Sequence, residues 1–332
     1  MGGSRNVGKG RRVNPYVFFV GCPRSGTTLL RRIGNAHAEL AIIRELHWVP
    51  LWWERRRSLT PEGTVTADLV ARLRRHSHFP RLEVDPADVN ALLDESRPKH
   101  YAQFVTELFD LHGEVKGKRL VGEKTPMYVR HLPTLNELWP DAKVVHLIRD
   151  GRDVALSLLE WSRSDRAAGR FPTWVEDQVT TAALFWEWNV RLGREAGIFL
   201  EADQYYESRY EGLVADPEHE CRRLCAFLGL GYDPAMLRFH EGRTRSKPGL
   251  SAKKAWQPVT AGLRSWREQM SPADVVRFEA AAGDLLTELG YERAAAPSDE
   301  ELAYASRLRQ AFADHARSSG WRVPEAWERV AA

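Results

Sequence analysis

The segment Tyr16-Val17-Phe18-Phe19-Val20-Gly21-Cys22-Pro23-Arg24-Ser25-Gly26-Thr27-Thr28 restricts the fold of this chain more than any other. Its first five residues are an unbroken β-branched and aromatic run, the pattern of a strand buried on both faces. From about Thr27 onward, Leu29, Leu30, Ile33, Ala36 and Leu40 recur at helical spacing. Strand, loop and helix in that order open a doubly wound α/β domain. The loop has the G-x-x-x-x-G spacing of a phosphate-binding loop, yet Thr27 stands where nucleotide triphosphatases carry lysine. The physics of the loop survives the change. Successive backbone N–H groups and the helix N-terminus make a nest for an anion. Thr27 and Thr28 add hydroxyl donors, Arg24 brings a guanidinium, and Ser25 and Gly26 complete the loop.

Further elements follow the same logic. Leu120-Val121-Gly122 reads as a short strand ending in Glu123-Lys124-Thr125-Pro126, and 143–148 reads as a second buried strand with a helix over about 151–161. Residues 205–210 predict another strand. Asp216-Pro217-Glu218 supplies an N-cap, a proline at the first helical position and an acid in the first turn, and Gly229 stops that helix. Residues 67–112 carry helical patterns, 294–297 a linker, and Ser298-Asp299-Glu300-Glu301 a capping box opening a polar terminal helix. The expected architecture is a P-loop-type α/β fold: a doubly wound, mainly parallel sheet flanked by helices. A flexible basic arm (1–15) precedes one domain (16–293) with a helical insertion at about 46–115, and a helical extension (298–332) follows.

With 43% hydrophobic and 28% charged residues, the 332-residue chain is of the core-forming, globular kind. Lys and Arg (48) nearly balance Asp and Glu (45), so neither nucleic acid nor a membrane surface is an expected partner. The three cysteines show no metal spacing, and a sparse, odd count fits a reducing compartment. The early apolar run 16–20 falls far short of the about 20 residues a membrane span needs. The glycine-rich, basic N-terminus lacks the apolar region of a signal peptide. The expected location is the cytoplasm.

A second strand–turn–helix, Val144-Val145-His146-Leu147-Ile148-Arg149-Asp150-Gly151-Arg152-Asp153, puts Arg149 at a strand end. Ser157, two helical turns on, falls near the face of Asp153. A guanidinium and a hydroxyl so placed can grip one phosphate; alternatively, Arg149 pairs with Asp153 and Ser157 is merely solvated.

Pro23-Arg24-Ser25-Gly26-Thr27-Thr28-Leu29 resembles the 5′-phosphosulfate loop of sulfotransferases that use 3′-phosphoadenosine 5′-phosphosulfate (PAPS). It is most similar to the bacterial and tyrosylprotein type, in which arginine replaces the lysine of the cytosolic members. The segment 144–157 resembles the family's 3′-phosphate motif, and Arg209-Tyr210-Glu211 its R-Y-E segment. The resemblance implies PAPS as sulfuryl donor, adenosine 3′,5′-bisphosphate (PAP) as product and no metal. It implies that Arg24, Ser25, Gly26, Thr27, Thr28, Arg149, Ser157 and Tyr210 bind the cofactor.

Sulfuryl transfer is an in-line displacement, so it asks for a base at the acceptor oxygen and a cation at the leaving oxygen. Glu45, in Ile42-Ile43-Arg44-Glu45-Leu46-His47, is the expected base, with apolar neighbours that can raise its pKa; the alternative is an ion pair with Arg44 or a neighbouring basic residue. Counted from Pro23, it falls where the tyrosylprotein-type enzymes carry their catalytic glutamate. His47 stands where those enzymes place arginine, and competes as base. Lys124, in a segment similar to the family's E-K-[ST]-P, is the expected leaving-group cation, sharing that task with Arg24.

The acceptor is a hydroxyl of a small molecule, glycan or lipid, with peptide tyrosine and specialised metabolites also open. Trp48, Trp52 and Trp53 with Arg55, Arg56 and Arg57 are candidates for its pocket, though tryptophans at such spacing more often pack in a core. Trp186 and Trp188 read as packing residues. Two competing readings stand: a Mg²⁺-dependent P-loop kinase or NTPase, disfavoured by Thr27, and a nucleotide-binding module without turnover.

Overall fold

The apolar run after Tyr16 forms the central strand of a five-stranded, all-parallel sheet. The structure, a computed structural model, describes residues 16–93, 98–161, 164–241 and 265–328; the predicted basic arm lies outside them, as do the last four residues of the C-terminal extension. The strands are β1 (Val17–Val20), β2 (Leu40–Arg44), β3 (Leu120–Lys124), β4 (Lys143–Ile148) and β5 (Tyr205–Arg209). Their order is β2-β3-β1-β4-β5. The chain therefore moves outward from β1 in one direction to β2, returns to fill β3, and continues on the other side with β4 and β5. That reversal beside β1 opens a crevice at the carboxyl ends of the strands, where doubly wound sheets bind ligands.

Strand alternation divides the core. Val17 and Phe19 face the helices α1 (Thr27–Ala36) and α11 (Pro217–Leu228), meeting Leu30, Ile33 and Leu224. Phe18 and Val20 face the opposite layer. There the helices α2 (Val49–Glu54), α3 (Ala67–Arg75), α4 (Pro86–Ala91), α5 (Tyr101–Lys116) and α6 (Leu132–Leu138) cover the β2–β3 side. The β4 side is covered by α7 (Gly151–Leu159), α8 (Thr173–Glu176) and α9 (Gln178–Ile198). Asp177 starts α9 by accepting from the amides of Val179 and Thr180 at 2.9 and 3.0 Å. After α10 (Tyr210–Ala215) and α11, the chain adds α12 (Trp266–Gln269), α13 (Pro272–Glu288) and α14 (Asp299–Ser318). The predicted capping box at Ser298 is present, and so is the proline-led start of α11 with Gly229 in the left-handed conformation at its end. The polar terminal helix nonetheless buries Leu308, Phe312 and Ala316 in one cluster with Trp186 and Trp188 of α9.

Helical spacing carried to Leu40 overruns the helix. α1 ends at Ala36, His37 is already extended, and Leu40 begins β2. His37 explains the stop: its backbone N–H closes onto Gly34 while its ring Nε2 sits 2.8 Å from the Gly231 carbonyl. A contact to a residue 194 positions away overrides the local period.

Trp48, Trp52 and Trp53 are buried in the layer over β2, with Trp48 and Trp52 ring centroids 4.9 Å apart. Here they pack the core, as does Trp186, whose Nε1 donates to the Arg149 carbonyl at 3.1 Å.

Candidate active site

Each strand delivers a predicted site residue just past or at its carboxyl end. Across the crevice in sheet order they are Glu45 after β2, Lys124 closing β3, the loop 21–26 after β1, Arg149 after β4 and Tyr210 after β5. Parallel pairing sets this alignment: Arg44 sits opposite Lys124, and Ile148 opposite Arg209.

The loop is fastened by its own turn, Ser25 N–H to Cys22 carbonyl at 3.1 Å, and to the exit of β3 by Gly21 N–H to Pro126 carbonyl at 3.1 Å. Gly26 is the N-cap of α1 and no side chain caps this ten-residue helix. Its first-turn N–H groups and the positive end of its dipole therefore face the loop. Ser25 is buried and its Oγ has no partner. An uncapped helix beside an orphaned buried hydroxyl and an arginine is what a bound oxyanion would satisfy. Gly26 has φ +99°, and a Cβ there would stand 2.5 Å from the Tyr210 ring. Gly26→Ala is expected to strain this turn by about 1–3 kcal/mol and to push Tyr210 aside. Thermal melting together with a PAP titration checks this; unchanged melting and affinity would refute it.

Arg24, itself at φ +78°, donates from Nε to Ser157 Oγ at 2.9 Å, and its guanidinium lies 5.2 Å from the Trp161 ring. Arg149 instead pairs with Asp153 at 3.0 Å and lies 4.1 Å above the Tyr210 ring. Arg149 thus takes the nearer carboxylate, the alternative the sequence left open, and the Ser157 hydroxyl is on Arg24. Asp153 Oδ1 also accepts from the Trp266 amide at 2.8 Å, which keeps the carboxylate in place. Arg149 Nε is buried without a partner, so the guanidinium retains donor capacity.

On the other side of the loop, Lys124 Nζ donates to Glu45 Oε1 and lies 3.4 Å from Thr28 Oγ1. Lys124 is 2% exposed and Glu45 34%, so the pair is dry at the amine and open at the carboxylate. His47 Nε2 is 3.7 Å from the other carboxylate oxygen. The raised pKa expected for Glu45 is corrected here. Burial does push its carboxyl up, but Lys124 and then His47 outweigh that and hold it well below the usual carboxylate range. Burial pulls Lys124 below the ordinary lysine value, with Glu45 opposing.

Residues 15–234 match the family described as the Sulfotransferase family. The chain belongs to the sulfotransferase family.

Among curated relatives of this sulfotransferase is protein-tyrosine sulfotransferase 1 of Danio rerio. It is 28% identical over 291 residues, spanning 85% of this chain and 74% of that one. A putative protein-tyrosine sulfotransferase of Caenorhabditis briggsae is 28% identical over 292 residues, spanning 86% and 92%. Among solved structures, the sulfotransferase domain from the Synechococcus PCC 7002 olefin synthase has a TM-score of 0.55. It is 22% identical, with 87% of this chain and 99% of that one covered. The sulfotransferase domain from the curacin biosynthetic pathway gives 0.53 at 20% identity, covering 88% and 96%. At these identities the two structures speak for the fold alone.

The sulfotransferase site also contains residues that sequence patterns did not single out. Glu123 is fully buried behind Lys124, while Arg81 and His78 reach the Glu45–Leu46 backbone from a 3-10 turn (Phe79–Arg81) and the residue before it. Their one sequence signal is the position of Glu123 beside Lys124; Arg81 and His78 sit in the insertion, far from any motif. Among the described residues no cluster of His, Cys, Asp or Glu is arranged to hold a metal, and no helix is long and apolar enough to cross a membrane.

Proposed function

We propose that the enzyme transfers the sulfuryl group of PAPS to an acceptor hydroxyl, with Glu45 as the base. The observation that carries this reading is the Glu45–Lys124–Thr28 contact at the edge of the anion loop. It places a carboxylate, an amine and the helix N-terminus around one point. The acceptor oxygen forms a bond to sulfur as the bond from sulfur to the bridging oxygen breaks. The acceptor proton goes to Glu45, and the electron pair left on the 5′-phosphate oxygen is met by Lys124 and Arg24.

The Glu45–Lys124 pair makes each group the other's placeholder. While paired, Glu45 is ionised at neutral pH and so ready to accept a proton. When charge develops on the leaving oxygen, Lys124 turns to it, and Glu45, relieved of its cation, regains the basicity that burial confers. Arg24, Ser25, Gly26, Thr27 and Thr28 would hold the 5′-phosphosulfate. Arg149 would take the 3′-phosphate by exchanging Asp153 for it, Ser157 would orient Arg24, and Tyr210 would pack beside Gly26.

Arg149→Ala is expected to weaken PAP binding about 10- to 100-fold, the worth of a charge-assisted bond. Adenosine 5′-monophosphate, which lacks the 3′-phosphate, should bind the variant nearly as it binds the wild type. Equal losses for both ligands would remove Arg149 from that role.

The curated relatives' names make a tyrosine or another phenol the first acceptor to try, ahead of sugar and lipid hydroxyls. A cytoplasmic location remains part of the proposal, supported by three buried free thiols. The deciding experiment titrates PAP and ATP·Mg²⁺ against the purified protein, then offers radiolabelled PAPS with a panel of acceptors. Tight PAP binding with label transfer supports the reading. Preference for ATP·Mg²⁺ would favour a P-loop kinase, and PAP binding without transfer to any acceptor a binding module.

A further inference from the structure

The strap Glu45-Leu46-His47 leaves β2 in a conformation that side-chain-bearing residues avoid: φ is +37° at Glu45 and +65° at His47. Such backbone persists only where its surroundings over-determine it. Here every polar backbone group of the first two residues is tied down. Glu45 N–H donates to the Lys124 carbonyl at 2.7 Å, and the Glu45 carbonyl accepts from the Arg81 guanidinium. Leu46 N–H donates to Glu123 Oε1 at 2.7 Å, and the Leu46 carbonyl lies 3.0 Å from His78 Nδ1. The Leu46 side chain is fully buried beneath them.

Three of these four partners are ordinary for a strand end. Glu123 is not. It has no exposed surface, and a buried carboxylate is costly unless its hydrogen bonds are made. Its Oε1 accepts from both the Leu46 amide and the Thr125 hydroxyl. On the far side lies Tyr128, whose hydroxyl accepts from the Val49 amide at 3.0 Å, and Tyr101, which donates to the Val49 carbonyl at 2.7 Å. Through Oε1 the carboxylate thus clamps the strap to the exit of β3, while its Oε2 is buried without a partner. Neighbouring strand residues point to opposite faces, so Glu123 holds the strap from beneath while Lys124 meets Glu45 from above.

We infer that Glu123 is a positioning residue for sulfuryl transfer, its buried carboxylate fixing Leu46 so that the Glu45 carboxylate stays in register with Lys124. The inference rests on Glu45 acting as base. It carries a pH consequence. Burial pushes the Glu123 carboxyl up to about 7, against Thr125, the Leu46 amide, Lys124 and Tyr128, which favour its charged form. The other titratable groups around the strap are Glu45, His47, His78, Arg81 and Tyr101. A group raised this way is charged only above its shifted value, so the clamp weakens as pH falls through about 7. Glu45 stays ionised there.

The test uses the full chain, with the acceptor that takes label best in the panel and PAP as binding probe. Glu123→Ala should lose ~100-fold in kcat, the cost of a small misplacement of a reacting group, with PAP affinity unchanged. Glu123→Gln, a neutral acceptor for Leu46 like the protonated carboxyl, should hold kcat near the value the wild type shows below about pH 7, well above Glu123→Ala, and remove the step in kcat there. Arg81→Ala removes a second tie without opening a buried hole and should lower kcat in the same direction. Loosening the strap also frees Lys124, so its labelling by acetic anhydride, read by mass spectrometry, should quicken in Glu123→Ala and Arg81→Ala. If both variants turn over and label like the wild type while Glu45→Gln is inactive, the positioning role is wrong. If Glu123→Gln loses melting temperature, PAP affinity and rate together, Glu123 serves only the fold. An active Glu45→Gln would sink the assignment of the base and leave Glu123 without a reacting group to position.

Discussion

Glu45→Gln is expected to bind PAP as the wild type does and to turn over at least ~100-fold more slowly, the usual worth of a positioned general base. The two halves of this expectation have different causes. PAP carries no sulfuryl group and no acceptor, and Glu45 stands on the β2 side of the loop, away from Arg149 and Tyr210. Removing its charge therefore spares the phosphate contacts. The loss falls on the step in which the acceptor oxygen sheds its proton, and it should appear in kcat. Glutamine is the right substitution because it preserves volume and can still accept a hydrogen bond from Lys124. Alanine would leave the buried amine with only the Thr28 hydroxyl, 3.4 Å away. Calorimetric titration of PAP beside label transfer from PAPS checks the result. Should Glu45→Gln work at the normal rate, the proton goes elsewhere, and His47, 3.7 Å away, is the next group to replace.

Lys124→Ala should lose ~100- to 1,000-fold in kcat with a much smaller change in PAP affinity. The charge it answers develops on the leaving oxygen only as the sulfur–oxygen bond breaks, so the interaction belongs to the transition state. This variant carries a second signature. Lys124 is the largest influence holding the Glu45 carboxyl down against burial. With the amine gone, burial prevails and the Glu45 pKa rises. Since a base works only while unprotonated, the acid limb of kcat should move to higher pH in the variant. A rate loss with an unshifted acid limb would mean that Lys124 does not touch Glu45 in the working enzyme. A loss of PAP affinity equal to the loss of rate would make Lys124 a ground-state phosphate ligand.

These two residues also show where sequence reasoning reached and where it stopped. Glu45 was legible from the apolar run before it and Lys124 from its place at a strand end, local patterns to which the family resemblance added. The rise predicted for the Glu45 pKa failed for a non-local reason: the amine that reverses it lies 79 residues further along the chain. The Ser157 hydroxyl is likewise met by a distant group: it accepts from Arg24, 133 residues away, because β1 and β4 are neighbours in the sheet. Glu123, Arg81 and His78 carry no local pattern that marks them, since what they bind is the backbone of a different strand's exit.

The sequence alone therefore determined the elements whose causes lie within a few residues. These are the buried strand before the loop, the helix after it, the capped helices at Asp216 and Ser298, and the donor-rich loop at 21–28. The tertiary structure decided which carboxyl ends stand side by side, and hence which charges pair, which carboxyl is lowered and which is raised. The physical reason is range. Backbone propensity and capping act across one or two turns, whereas the field at a titratable group is set by whatever the sheet order brings within a few ångströms.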